Sequence, residues 1–193
     1  MFLTAQMRKK RKKQLAGTDI EIEIVGEQNT YDATLTTQDG VIVGVPERLK
    51  SGKEVEIEIG DKVHTHHFLA DEDNVFDYGY GEFFKLTYND IYCKEKDGEL
   101  IAINEWLICE GVFEEKKSAS GLILTSAPVR NQHKMVVVAI GPYGEAECGA
   151  KKGDTVQLFS EPQGSGNYEL MINGKMHYRV RAKDIAGVWQ ETE

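Results

Sequence analysis

Three local patterns occur twice in this chain, in the same order and at nearly the same separation. Val41-Ile42-Val43-Gly44-Val45-Pro46 is matched by Val137-Val138-Ala139-Ile140-Gly141-Pro142, an offset of 96 residues. Gly60-Asp61-Lys62-Val63 is matched by Gly153-Asp154-Thr155-Val156 at an offset of 93. Lys85-Leu86-Thr87-Tyr88-Asn89-Asp90-Ile91 is matched by Arg179-Val180-Arg181-Ala182-Lys183-Asp184-Ile185 at an offset of 94. Chance can make one such match but hardly three in register, and self-similarity at a fixed period signals two copies of one structural plan. A chain of 193 residues has room for two small domains.

Both copies read as β-structure. Ile20-Glu21-Ile22-Glu23-Ile24 and Val55-Glu56-Ile57-Glu58-Ile59 alternate strictly, the pattern of a half-buried strand. Short β-branched or aromatic runs follow at 41–45, 83–86, 106–109, 135–140, 155–159, 168–172 and 176–180. No long window places apolar residues at helical spacing. Asp39-Gly40, Asp97-Gly98 and Asn173-Gly174 punctuate the runs, and the last predicts a hairpin between its flanking strands. The expected fold class is all-β, with short strands closing into small barrels. The expected division is a basic flexible tail over 1–18, one barrel over 19–96 and a second over 97–193.

Charge narrows the partners. The chain holds 23 basic and 32 acidic side chains, a net −9. Six of the basic ones stand together in Arg8-Lys9-Lys10-Arg11-Lys12-Lys13, which leaves 17 against 32, or −15, for the rest. Such a body repels phosphate backbones and argues against a nucleic-acid partner. The basic run is read as a solubilising tail in preference to an anionic-surface tether. No apolar run approaches the ~20 residues that span a membrane, so no membrane partner is expected. Cys93, Cys109 and Cys148 are widely spaced with no CxxC, which fits a reducing compartment. No apolar stretch of the signal-peptide kind follows the basic run, and the expected location is cytoplasmic.

The copies differ in one connection. From Ile24 to Val41 there are 17 positions, and from Ile108 to Val137 there are 29. The excess contains Lys117-Ser118-Ala119-Ser120-Gly121-Leu122-Ile123-Leu124-Thr125, three large aliphatics in a loose Ser/Gly frame. An insertion in one copy of a repeat is expected on the surface, because the shared barrel closes without it. An exposed aliphatic triplet of this kind suits a hydrophobic groove on a partner.

Glu105-Trp106-Leu107-Ile108, the segment just quoted, the run 136–141, Lys152-Gly153-Asp154-Thr155-Val156 and Lys183-Asp184-Ile185-Ala186-Gly187-Val188 together resemble the GroES-type co-chaperonin family. The order and spacing match over most of 100–188. The family pattern carries a mobile loop of the form K-S-x-G-G, a hydrophobic tripeptide, then T; here Ser120 replaces the first of those glycines. The resemblance implies a β-barrel that self-associates into a ring and caps an ATP-bound, GroEL-type chaperonin during protein folding. It implies no catalysis and no cofactor. The contact residues it implies are Ser120, Gly121, Leu122, Ile123, Leu124 and Thr125, within a loop over about 114–130. The first half resembles the same barrel more weakly and is expected to lack the loop, since 29–39 is short and has no apolar triplet. The stretches 47–53 and 143–149 stand where family members carry a hairpin over the ring centre.

Other candidates have plainer readings. His64 and His66 share one face of an expected strand, with His67, Asp71 and Asp73 nearby, and are read as barrel-surface residues in preference to a metal site. Asp77-Tyr78-Gly79-Tyr80-Gly81 and Gly164-Ser165-Gly166 open no helix after a strand, so both are read as turns rather than phosphate cradles. Two other classes of function compete with the co-chaperonin: a structural or assembly protein, virion-associated for example, that reuses the barrel, and a metal-dependent enzyme resting on the histidines alone.

Overall fold

The structure is a computed structural model and describes residues 2–6, 10–14, 21–25, 39–65, 75–77, 82–115, 128–159 and 168–190. Its strands are β1 (Phe2–Gln6), β2 (Lys10–Gln14), β3 (Glu21–Val25), β4 (Asp39–Gly44), β5 (Lys62–Thr65), β6 (Val75–Asp77), β7 (Glu82–Leu86) and β8 (Ile91–Lys96). They continue as β9 (Glu99–Ala102), β10 (Trp106–Glu114), β11 (Val129–Ile140), β12 (Thr155–Leu158), β13 (Glu169–Ile172), β14 (Lys175–Arg181) and β15 (Ile185–Trp189). One α-helix, α1 (Pro142–Cys148), follows β11. The all-β expectation holds.

Two large antiparallel sheets contain thirteen of these strands. Their orders are β6-β7-β1-β4-β5-β8-β9 and β13-β14-β10-β11-β12-β15. Placed side by side, the first six strands of one sheet correspond to the six of the other. The repeated motifs fall at corresponding corners. The Ile42 and Val137 amides donate to the Asp61 and Asp154 carbonyls, each at 2.9 Å, and their own carbonyls accept from Gly60 and Gly153, each at 2.8 Å. Both glycines are left-handed, at φ 96° and 97°, and both aspartates bind the backbone amide three residues earlier, Glu58 and Lys151. The third motif is a single 3-10 turn in each half, Tyr88–Asp90 and Ala182–Asp184, leading into β8 and β15.

This correspondence corrects the expected boundaries of the first half. The counterpart of β10 is β1, not the alternating run at 20–24, because β1 pairs with β4 and β7 as β10 pairs with β11 and β14. Residues 2–6, within the expected tail over 1–18, are thus a central strand of the first sheet. The basic run also contributes a strand, β2, which pairs with the alternating acidic strand β3 in a separate two-stranded sheet. The connection matching 115–128 is therefore 7–38, and it is the longer of the two.

Two further expectations change. The run 55–59 forms no strand, although Ile57 is buried and Val55 packs beside it. Val55 and Ile57 lie on the core as in a strand, but Ile59 is exposed, and the Glu56 carboxylate is engaged by the Tyr88 hydroxyl and the Asn104 amide. The stretch at 143–149 is not a hairpin but helix α1. Pro142 starts it, since a first-turn proline sacrifices no hydrogen bond, and Gly149 at φ 72° ends it. The Asn104 carbonyl accepts from the Tyr143 and Gly144 amides, each at 3.2 Å, and so satisfies donors that a helix start leaves orphaned. The Asp97-Gly98 and Asn173-Gly174 turns do form, with positive φ at both residues of each, the geometry of two-residue hairpins.

Among the described residues the core has three parts. Ile42, Ile57, Val63, Leu86, Ile91 and Ile103 pack with the first sheet. Leu107, Cys109, Met135, Val137, Val156 and Val180 are among those that pack within the second. The third part draws on both: Tyr92, Cys93 and Ala102 meet Trp106, Ile108, Ala139, Leu170 and Ile172. Strand β10 shows why its sequence is continuously apolar at 106–109. Leu107 and Cys109 face the second core while Trp106 and Ile108 face the shared one, so neither face meets water.

Candidate functional site

Ser120, Gly121, Leu122, Ile123, Leu124 and Thr125 lie outside the described residues. The frame on either side of them is described. Strands β10 and β11 run antiparallel, and their last register pair is Glu114 with Val129. Residues 115–128 therefore join the two strands at the end of a ribbon. Near that end large apolar side chains face water, Phe113 at 63% exposure and Val129 at 46%.

The ribbon is bent and then fastened. Its register shifts between Ile108 and Cys109 and again between Gly111 and Phe113, and such irregularities increase local twist and re-aim what lies beyond them. At the second shift Arg130 crosses over Gly111, where an added Cβ would lie 3.0 Å from Arg130 Cδ and 3.4 Å from Tyr178 Cε2. The guanidinium sits 4.8 Å from the Tyr178 ring centroid and 5.9 Å from that of Tyr168. Its Nη2 donates to the Tyr168 hydroxyl at 3.2 Å. A cation over two aromatic faces is worth about 0.5–2 kcal/mol, more as water is excluded.

Charged groups brace the same strands. Lys175 Nζ donates to Glu110 Oε1 at 2.6 Å, and His177 Nε2 is 3.7 Å from the same oxygen. Burial pushes the His177 imidazole below its usual value, which favours the neutral ring. Beyond Glu110, Lys134 Nζ lies 3.8 Å from Glu114 Oε1 and 6.0 Å from the Trp189 ring centroid. These contacts connect β10, β11, β14 and β15. The arrangement is a stem cross-linked over four strands, with exposed apolar side chains near the end from which residues 115–128 continue.

The histidine candidates do not converge. His64 is 3% exposed, and its Nε2 lies 2.7 Å from Glu95 Oε1, which also accepts from Lys62 Nζ at 2.9 Å. That is a hydrogen-bonded cluster that joins β5 to β8. His66, His67, Asp71 and Asp73 lie outside the described residues. Among the described residues no three His, Cys, Asp or Glu side chains gather as a metal set. Cys93 and Cys109 are fully buried, and burial pushes both thiols far above their ordinary value, which suppresses the reactive thiolate. No described helix is long and apolar enough to cross a membrane.

A joint that sequence reasoning missed lies at Asn104. It stands at φ 58°, a conformation asparagine tolerates better than most residues. Its amide is 3.2 Å from Glu56 Oε1, its Nδ2 donates to Asn89 Oδ1 at 3.2 Å, and its Oδ1 accepts from Lys53 Nζ at 2.6 Å. The same Lys53 ammonium lies 4.0 Å from the Tyr143 ring centroid. One residue thus links the 53–56 segment, the 3-10 turn before β8 and the start of α1. The available signal was an Asn-Glu turn between two strand-like runs.

The pattern of the family described as "Chaperonin 10 Kd subunit" matches residues 99–189, which include the ribbon and the 115–128 connection. The co-chaperonin GroES of Nitratidesulfovibrio vulgaris is similar to this chain: 33% identical over 92 residues, covering 45% of this chain and 93% of that relative.

Proposed function

The chain belongs to the chaperonin 10 kDa subunit family, and on that premise we propose that it acts as a co-chaperonin, capping an ATP-driven chaperonin ring through the 115–128 connection. The observation that carries this reading is the position of that connection. The family match spans it, and it stands at the end of the ribbon braced by Arg130, Tyr168 and Tyr178. Leu122, Ile123 and Leu124 enter an apolar groove of the chaperonin, with Ser120, Gly121 and Thr125 shaping the loop around them. The protein's role is to bind and release, not to catalyse.

Energetics then require several loops at once. Burying three aliphatic side chains contributes about 1.5–3 kcal/mol each. Ordering about ten loop residues opposes this at about 1–2 kcal/mol each. A single loop is therefore weak, and a ring that presents several converts weak contacts into reversible avidity. The sheet edges support self-association. The outer edge of β8 is covered by β9, whereas the corresponding edge of β15 has no neighbour among the described strands. An open edge presents unpaired backbone groups to a second chain, and Trp189 on β15 is 49% exposed. The matching strand orders support two GroES-like units in tandem, the first running from β1 through β8.

The test is Ile123→Asp. A carboxylate cannot enter an apolar groove without losing its hydration, so nucleotide-dependent binding to chaperonin should be lost while the thermal midpoint is unchanged. Binding equal to wild type would remove the loop from the mechanism.

A further inference from the structure

Phe113 and Val129 stand at the end of the β10–β11 ribbon, and the loop mechanism above gives neither a role. They are 63% and 46% exposed. Register puts them on opposite faces. Residues directly opposite in an antiparallel pair share a face, and Phe113 is opposite Arg130 while Val129 is opposite Glu114. The end of the ribbon therefore carries a large apolar side chain on each face, which suits entry into a cleft better than rest on a flat surface. Pro128, next to Val129, has no amide with which to extend the ladder. Phe113 is also fixed in place. The register shift between Gly111 and Phe113 sets its aim. Its cross-strand neighbour Arg130 is held 4.8 Å from the Tyr178 ring centroid and 3.2 Å from the Tyr168 hydroxyl.

Energetics give that placement a consequence. For the 115–128 connection, the cost of ordering the loop matches or exceeds the gain from burying its three aliphatic side chains. Avidity multiplies only contacts that are favourable one by one. An apolar side chain already set on a braced strand gains the burial with little left to order. Continuity identifies what buries it. Phe113 precedes the connection by two residues and Val129 follows it directly, so a surface that receives the loop lies within reach of both. We infer that Phe113, with Val129 on the opposite face, is a preformed anchor that enters the chaperonin's apolar groove beside Leu122, Ile123 and Leu124. The inference rests on the co-chaperonin reading. It moves a share of the binding free energy from the loop to the folded stem.

The experiment measures binding of the full chain to immobilised GroEL-type chaperonin rings in the presence of ATP. Phe113→Ser should weaken binding by about tenfold or more, mostly through faster dissociation. Val129→Ser should weaken it less, since its side chain is smaller and less exposed. Phe113→Leu should recover most of the loss, because the contact needs an apolar group at a fixed position. Thermal midpoints should match wild type, as substitutions at the surface change stability little. Sedimentation velocity of the free variants should also match, so that the loss is not one of avidity. Phe113→Ser that binds like wild type while Ile123→Asp does not bind overturns the inference and leaves the loop mechanism standing. Phe113→Ser that alters the sedimentation of the free protein also overturns it, because the side chain would then serve contacts between copies. If Ile123→Asp binds like wild type, the loop mechanism falls and the anchor falls with it.

Discussion

Arg130 and Tyr178 lock the base of the β10–β11 ribbon: the guanidinium lies 4.8 Å from the ring centroid, and the aliphatic stem that carries it passes over Gly111. The contact works because position 111 has no side chain to hold the arginine away from the aromatic face. Arg130→Ala removes both the cation and the hydrocarbon stem that covers the ribbon. The expected loss is about 1–2 kcal/mol, or a thermal midpoint lower by about 2–8 °C for a chain of this size. Arg130→Lys should recover only part of it, since an ammonium lacks the planar face that stacks on the ring. Differential scanning calorimetry of the three proteins decides the point; equal midpoints would show that the stack contributes nothing.

Two glycines make opposite predictions. At Gly141 an added Cβ would lie 2.3 Å from the Asn104 carbonyl oxygen, which is backbone and is held by the Tyr143 and Gly144 amides. At Gly111 the nearest atom is Arg130 Cδ at 3.0 Å, part of a flexible side chain. Gly141→Ala should therefore destabilise by about 3 kcal/mol, the upper range for forced overpacking. Gly111→Ala should stay within about 1 kcal/mol of wild type, because a strand gains from losing a glycine what the arginine gives up in moving. Urea unfolding gives both values, and a reversed order would refute the account of the joint.

The repeat can be tested through its turns. Gly60 and Gly153 stand at φ 96° and 97°, and a Cβ at either would meet nothing within 4 Å. The penalty for alanine is thus conformational and not steric, about 1–2 kcal/mol at each position. Gly60→Ala and Gly153→Ala should lower the urea midpoint by similar amounts. A large difference would mean that the two corners, alike in hydrogen bonding, differ in rigidity.

The class of fold was legible because period-two alternation and two-residue turns are local signals. Asn173-Gly174 needs only its neighbours to make a hairpin. The motifs around Gly60 and Gly153 were legible for the same reason. What failed was pairing, which is not local. Ile20-Glu21-Ile22-Glu23-Ile24 looked like the opening strand of the first half, yet β3 pairs with the basic run while the unremarkable Phe2–Gln6 takes the centre of the sheet. Nothing in five residues states which partner they will find. Helix α1 was missed because seven residues are too few to show a helical period, although Pro142 and Gly149 marked both ends. The stem of the candidate site was hidden too: Gly111, Arg130 and Tyr178 are far apart in sequence, and only the antiparallel register of β10 with β11 and β14 brings them together.

His64 and Glu95 predict how stability depends on pH. Burial holds the His64 imidazole below the ordinary 6.5, against the opposing pull of Glu95. For Glu95, burial raises the carboxyl, but hydrogen bonds from Lys62 and His64 outweigh it and leave the group below the ordinary 4.5. The unfolded chain therefore takes up a proton on His64 at higher pH than the folded chain does. Between those two points the unfolded state binds more protons, and stability falls with acidification. His177, also lowered by burial, acts in the same direction. The Glu95 contribution is complete above 4.5 and is lost later, as pH falls through its folded value. His64→Gln keeps a polar group near Glu95 but cannot titrate. Its stability, measured by urea unfolding from pH 7 down to about 5, should decline less steeply than that of wild type. Below the carboxylate range the two curves should run parallel. Identical slopes above it would mean that His64 takes up its proton at the same pH in the folded and unfolded chains, and a wild type that declines less steeply than the variant would mean that Glu95 holds a charged imidazolium.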